Sequence, residues 1–232
     1  MKVVWRTDVG RVRESNQDCV LNGEGLYGVA DGMGGHRGGN VASALACSSL
    51  TAFLKNTAPG EKALEYGFRE ANRAVFERAA KDANLEGMGT TMTLIWDDGS
   101  RVILGHVGDS RAYLRRGGRL KQMTRDHSLV WEMMRQGTIT AEEARNHPYR
   151  NVITQAVGTD PQVTPDISTV ECFPGDLWLI CSDGLTEYLT DSRIEEVLGL
   201  YPANRAADVM LEEALAAGGK DNVTLIIAEV DP

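Results

Sequence analysis

The chain has 232 residues, with 24 Lys and Arg against 33 Asp and Glu, and a formal net charge of −9. That length suffices for one large domain or two small ones around a substantial core, and 42% hydrophobic with 25% charged residues argues against a mainly disordered chain. The acidic balance excludes a chain-wide basic footprint for nucleic acid or anionic lipid, while leaving room for a local site that collects cations.

The first segments have β character: Lys2–Thr7, Asp18–Leu21 and Leu26–Ala30, with a turn expected at Asn22-Gly23. A helical stretch follows. Val41–Leu54 carries Ala, Leu and Phe at helical spacing, and Lys62–Lys81 sets Leu64, Phe68, Ala71 and Val75 on one face. Four β-like runs come next, Thr90–Trp96, Arg101–His106, Arg111–Arg115 and Arg119–Met123, separated by the turns Asp97–Ser100 and Arg116–Gly118. Residues 126–160 are polar with short helical signals. Within them Thr140 and Glu143 have the spacing of a capping box, in which each side chain satisfies an orphan N–H of the other residue. Strands are expected at Ile167–Cys172, Leu177–Cys181 and Val223–Val230, with helices opened by Ser192–Glu195 and spanning Arg205–Ala217. The paired Gly218-Gly219 reads as the stop of that last helix. Strands and helices arrive in blocks, which favours α+β layers with antiparallel sheets over a doubly wound parallel sheet.

Cys19, Cys47, Cys172 and Cys181 show no C-x-x-C spacing and read as small apolar core residues in a reducing compartment. None opens a Cys-x5-Arg loop, so none is a candidate nucleophile. No apolar run approaches the ~18–20 residues of a membrane span, and the segment Met1–Asp8 turns polar too early for a signal peptide. A cytoplasmic protein is the expectation.

Four aspartates share one layout, each at the border of an apolar run and each followed by Gly, Ser or Asn: Asp31, Asp109, Asp183 and Asp221. A carboxylate at a buried strand end is costly unless it is paired or metal-bound. A single Asp-Gly is ordinarily a turn; four with the same layout point to a shared site. Hard oxygen ligands suit Mg²⁺ or Mn²⁺, and no H-E-x-x-H or Cys/His cluster offers softer ligands for zinc. Two such ions can generate a nucleophilic water for in-line attack on phosphorus, so the pattern points to metal-assisted phosphoester hydrolysis. The glycine-rich run Asp31–Gly39 lacks the Walker Lys-Ser/Thr and the G-x-G-x-x-G spacing and is not a nucleotide cradle. Its glycines suit close approach of backbone to a cation and of a helix to the sheet. Arg13 is the candidate phosphate grip, since a guanidinium can hold two oxygens bidentately.

Eight motifs in chain order carry a resemblance: Arg13-Glu-Ser-Asn-Gln-Asp18, Val29-Ala-Asp-Gly-Met-Gly-Gly-His36, Gly87-Met-Gly-Thr-Thr91, His106-Val-Gly-Asp-Ser-Arg111, Thr124-Arg-Asp-His-Ser-Leu129, His147-Pro-Tyr-Arg-Asn151, Cys181-Ser-Asp-Gly-Leu185 and Asp221-Asn-Val-Thr224. The chain resembles the metal-dependent PPM (type 2C) serine/threonine protein phosphatases in their compact bacterial form. The resemblance implies a four-layer α-β-β-α sandwich, two antiparallel sheets flanked by helix pairs. It implies a single catalytic domain over residues 1–232, with a flap at about 126–160 that shapes substrate access. Two Mn²⁺ or Mg²⁺ ions are implied, with Asp31 bridging them, the Gly32 carbonyl on one, and Asp183 and Asp221 on the other. Asp18 would steady metal-bound water, Asp109 would help bind a third, weaker ion, and Arg13 would grip the phosphate. The implied partners are phosphorylated proteins, substrates of a bacterial Ser/Thr kinase, met by a monomer without nucleic acid or membrane.

Two departures stand out. Gln17 replaces a glutamate that contacts a metal or its water in many members, so the second ion is expected to bind less tightly. Met33 stands where eukaryotic members place a histidine acid, as is common in bacterial members, leaving His36 or a water on the third ion to supply the proton. His127 and His147 fall in the flap motifs and His106 in an apolar strand, where a satisfied core role is expected. Two rival readings are a catalytically silent binding module and a two-metal nuclease. Retained, mutually repelling aspartates argue against the first, and the acidic balance argues against the second.

Overall fold

We describe residues 1–23 and 25–231 of a computed structural model of the chain, with residues 35–37 described by their backbone alone. In chain order the elements are β1 (Lys2–Asp8), β2 (Asp18–Gly23), β3 (Leu26–Met33), α1 (Gly35–Leu54), α2 (Glu61–Ala80), β4 (Gly89–Thr90), β5 (Met92–Asp97), β6 (Arg101–Val107), β7 (Arg111–Arg116) and β8 (Arg119–Gln122). They continue with α3 (Leu129–Arg135), α4 (Ala141–Arg145), β9 (Asp166–Glu171), β10 (Leu177–Cys181), α5 (Asp183–Thr186), α6 (Asp191–Leu200), α7 (Ala203–Ala216) and β11 (Val223–Glu229).

Two antiparallel sheets result, β1-β11-β10-β7-β8 and β2-β3-β5-β6-β9, with β4 paired to β3. Alternation along the strands divides their side chains between two apolar layers. On β11, Val223, Leu225 and Ile227 face one cluster with α6 and α7, while Ile226 and Ala228 face the space between the sheets. On β5, Met92, Leu94 and Trp96 meet α1 and α2, and Ile95 joins the inter-sheet layer. Because both faces of these strands are covered, they read as nearly continuous apolar runs. The three clusters fill the gaps of the α-β-β-α sandwich implied by the resemblance. The predicted α2 face is buried as expected, with Leu64, Phe68, Ala71 and Val75 all inaccessible.

Several boundaries differ from the sequence expectation. Asn22 and Gly23 are paired in β2, opposite Tyr27 and Leu26, so they belong to the strand rather than to the turn. Gly25 supplies the positive φ of +78° that such a tight turn needs, and Glu24 lies outside the described residues. Helix α1 begins at Gly35, six residues before the predicted start, because the glycines continue the helix where side chains would collide. A Cβ on Gly39 would lie 2.4 Å from Gln17 Oε1 and 2.6 Å from the Gly32 carbonyl. The expected strand Thr90–Trp96 is interrupted at Thr91, between β4 and β5. Helix α6 is capped by Thr190, which accepts from the Arg193 N–H, rather than by Ser192. Glu195 serves elsewhere, accepting from the Leu120 N–H at 2.5 Å. The capping box of Thr140 and Glu143 forms as predicted, and Gly219, at φ +50°, closes α7 by donating to the Ala214 carbonyl.

Candidate metal centre

The acidic residues converge at the strand ends of both sheets. Asp18 and Asp31 stand opposite each other in the β2–β3 register. Asp31 lies within β3 rather than at its end, and its backbone is fixed from the neighbouring segment. Its N–H donates to Thr91 Oγ1 at 3.0 Å, and its carbonyl accepts from the Thr91 N–H and Thr90 Oγ1, both at 2.8 Å. Ser110 holds Thr91 Oγ1 in turn at 2.8 Å. From the other sheet, β10 stops at Cys181 and Asp183 is the first residue of α5. The preceding Ser182 Oγ donates to Asp18 Oδ2 at 2.9 Å and accepts from the Thr224 N–H at 3.0 Å. Asp221 precedes β11, and Asp109 follows β6.

Asp31, Asp109, Asp183 and Asp221 line one cavity of about 530 Å³, together with Arg13, Gln17, Gly32 and Met33. Asp18 is not among the lining residues. Its Oδ1 is buried with no hydrogen-bond partner, an acceptor suited to a water held inside the site. Arg13 Nη2 donates to Asp221 Oδ2 at 2.7 Å. The Gly32 N–H donates to the Gln17 carbonyl at 3.2 Å, which ties the glycine run to the segment carrying Arg13.

Like charges in a confined space resist ionisation. Burial, then the charges of Asp18 and Asp183, push the Asp31 carboxyl well above the usual carboxylate range. Burial, Asp109 and Asp221 do the same to Asp183. Asp109 is pushed up to about 6 by burial and by Asp126. Asp18 is also raised, burial outweighing the hydrogen bonds that favour its charged form. Divalent cations are the natural counter-charge for such a set. Among the described residues no group of three or more His, Cys, Asp and Glu side chains stands in a metal-holding arrangement. The all-oxygen donor set, the mutual repulsion and the orphaned Asp18 Oδ1 nevertheless fit Mn²⁺ or Mg²⁺.

The histidines divide. His106 is buried, accepts from Thr93 Oγ1 at Nδ1 (2.8 Å) and donates from Nε2 to the Arg125 carbonyl (2.9 Å), as expected of a satisfied core residue. His127 packs on it at 4.8 Å between ring centroids and accepts from the Gly108 N–H. His147 Nδ1 accepts from the Tyr149 N–H. The His36 side chain lies outside the described residues. Four residues not singled out from sequence complete the surroundings: Thr91, Ser110, Ser182 and Asn222. Their signal is position alone, small polar residues beside the aspartates in the quoted motifs. Asn222 is the most engaged, bonding to the Val9 and Ser15 carbonyls and the Gln17 N–H.

Comparison with known families shows a match to the protein phosphatase 2C model over residues 11–217, and the chain belongs to that family. Among relatives, it is 42% identical over 233 residues to the serine/threonine protein phosphatase PstP of Mycobacterium tuberculosis, covering 99% of this chain and 45% of that protein. The chain thus spans about half the length of PstP. It is 38% identical to the serine/threonine phosphatase Stp of Listeria monocytogenes, covering 100% of this chain and 96% of that protein. The crystal structure of M. tuberculosis PstP superposes with a TM-score of 0.94 at 40% identity, covering 100% of this chain and 99% of that one. A structure of the PstP catalytic domain in complex with two manganese ions superposes at 0.91, with 38% identity and coverage of 100% and 98%.

Proposed function

We propose that this chain is a serine/threonine protein phosphatase that hydrolyses phosphoserine and phosphothreonine by direct attack of water, without a covalent phosphoenzyme. The observation that carries the proposal is the convergence of Asp31, Asp109, Asp183 and Asp221, from both sheets, on one cavity that Arg13 also lines. The relatives named as serine/threonine phosphatases support the substrate class, and the manganese-bound PstP structure supports the metal.

In this reading two Mn²⁺ or Mg²⁺ ions, when bound, supply the Lewis acidity that makes water nucleophilic at neutral pH and offsets phosphoryl charge. Asp31 and the Gly32 carbonyl would hold one, with Asp31 shared by the other and completed by Asp183 and Asp221; Asp109 would serve a third. Asp31 orients the attacking water, and Asp18 Oδ1 accepts from a second one. Arg13 grips the non-bridging phosphate oxygens in place of Asp221 Oδ2. No cysteine lines the cavity, and burial pushes Cys181 up to about 12, far from a thiolate nucleophile. Met33 lines the cavity and offers no proton, so the proton for the leaving alkoxide falls to water or to His36. The proposal covers residues 1–232 as one catalytic domain with residues 126–160 as its flap, acting as a cytoplasmic monomer on targets of a bacterial Ser/Thr kinase. Among the described residues no helix is long and apolar enough to cross a membrane.

The test is hydrolysis of p-nitrophenyl phosphate and of a phosphothreonine peptide, with Mn²⁺, with EDTA, and by Asp183→Asn. Turnover that requires the metal and falls by orders of magnitude in the variant is expected. Activity indifferent to EDTA would end the metal reading, and no turnover with any divalent ion would favour a silent binding module.

A further inference from the structure

Between β1 and β2 the chain runs from Val9 to Gln17 without a strand or helix of its own, yet this segment carries Arg13 into the cavity. Backbone groups that leave water need partners, and one side chain supplies three of them. Asn222, only 4% exposed, donates from Nδ2 to the Val9 carbonyl at 2.9 Å and to the Ser15 carbonyl at 3.0 Å. Its Oδ1 accepts from the Gln17 N–H at 2.8 Å. Both amide hydrogens and the amide oxygen are therefore committed to the two ends of the segment, with Arg13 between them.

The same residue faces Asp221. The Asn222 N–H donates to Asp221 Oδ1 at 2.8 Å while Arg13 Nη2 holds Oδ2 at 2.7 Å. Further stitches run the same way. The Arg11 N–H donates to the Gly219 carbonyl at 2.6 Å, and Gly10, at φ +82°, passes so near that a Cβ would lie 2.3 Å from the Asp221 carbonyl oxygen.

We infer that Asn222 is a positioning residue that locks the Arg13 segment to Asp221, so that the phosphate grip and its neighbouring carboxylate are placed as one unit. Only a short carboxamide offers two donors and an acceptor in one plane at this reach; an aspartate at 222 would keep the acceptor and lose both donors. The inference rests on the phosphatase reading for its kinetic consequence, but not for the geometry.

A double-mutant cycle tests it, using KM for a phosphothreonine peptide and Ki for inorganic phosphate in the Mn²⁺-loaded full chain. Asn222→Ala is expected to raise both about tenfold, as Arg13→Ala does, and the double variant to match Arg13→Ala rather than multiply the two losses. Fully multiplied effects would show that Asn222 acts independently of Arg13 and would overturn the inference. So would a wild-type Ki in Asn222→Asp. Should Asn222→Ala fail to fold, Gly10→Ala displaces the segment by a separate route and must raise Ki; an unchanged Ki there counts against the coupling. Calorimetric binding of phosphate to the same variants gives the coupling without turnover, so an inactive wild type would reject the phosphatase reading while leaving the positioning role decided by affinity.

Discussion

Arg13 and Asp221 form an ion pair at 2.7 Å, with the guanidinium about half exposed at 53% and the carboxylate less so at 29%. The hydrogen bond to Asp221, with the field of Asp31 and Asp183 behind it, holds the Arg13 guanidinium firmly protonated. An exposed pair of this kind contributes little stability, ~0–1 kcal/mol, so its significance is positional: the forked donor stands at the mouth of an acidic cavity. Arg13→Ala is therefore expected to leave thermal stability nearly unchanged while raising KM for p-nitrophenyl phosphate about tenfold, with a smaller loss in kcat. Arg13→Lys recovers only part, since an ammonium cannot fork. Steady-state kinetics decide the matter: unchanged KM and kcat in the alanine variant would make the arginine merely structural.

Repulsion among the aspartates predicts a trade between activity and stability. Asp183→Asn removes one charge from a group of acids that push each other's ionisation upward. The metal-free variant is expected to be more stable by ~1–3 kcal/mol in urea denaturation at neutral pH, and nearly inactive. A variant that is both inactive and less stable would show that Asp183 serves the fold rather than the ions.

The direction of these shifts also sets a pH dependence. A carboxyl whose native ionisation is raised binds protons that the unfolded chain has already released, so its contribution is present at low pH and lost as pH rises. For Asp109 the loss runs from the ordinary carboxylate range to about 6, and Asp31 and Asp183 extend it higher. Cations compete with those protons. The gain in Tm on adding Mn²⁺ to EDTA-treated protein should thus grow as pH rises from the ordinary carboxylate range through about 6 and beyond. Differential scanning calorimetry reads this as a difference, which cancels groups common to both states; an increment that shrinks with pH contradicts the proposed ligands.

His106 acts in the opposite sense. Burial, with His127 alongside, lowers it to about 3 from an ordinary 6.5. Its native pKa is depressed, so the unfolded chain takes up a proton that the folded one refuses, and stability falls as pH drops from about 6.5 toward 3. Urea midpoints across that window should decline less steeply in His106→Asn than in the unsubstituted chain. Parallel slopes would mean that His106 titrates freely in the fold.

Arg111 carries the largest single stability prediction. Its guanidinium holds Asp126 with three hydrogen bonds of 2.9, 3.0 and 2.6 Å, and Gln122 donates to the same carboxylate at 3.0 Å. Arg111→Met leaves a largely buried carboxylate without its cation and is expected to cost ~3–5 kcal/mol. Adding Asp126→Leu should restore most of it. A double variant as unstable as the single one would show that shape at Arg111, rather than charge, matters.

Much of this architecture is legible in the sequence because both sheet faces are covered. The runs Leu177–Cys181 and Val223–Glu229 are apolar at every parity, which announces a sandwiched strand without saying which helix covers which face. The aspartates were readable as a set because their small followers repeat. Other features escape such reading for physical reasons. Gly38 and Gly39 look like loop residues, yet they lie in a helix whose bare backbone passes close to Met88 at Gly38 and to Gly32 and Gln17 at Gly39. Thr91 interrupts a strand pattern because its hydroxyl and N–H are spent on Asp31. Ser182 and Asn222 have no pattern of their own; Ser182 reaches Asp18 across 164 residues, and the Asn222 amide bonds groups 205 or more residues away, distances that no local window sees.

Asp31 belongs to a strand of one sheet, whereas Asp183 and Asp221 border strands of the other. Any ion shared between them would be a rivet through the seam of the sandwich, added to the oily interlayer and to cross-sheet hydrogen bonds such as that of Ser182 to Asp18. Slippage of one layer over its mate by the length of a single bond would pull that rivet out of true. In the proposed reaction, chemistry at the mouth and alignment of the layers would then be two readings of one mechanical adjustment, and whatever shears the halves would lower turnover without touching the cleft.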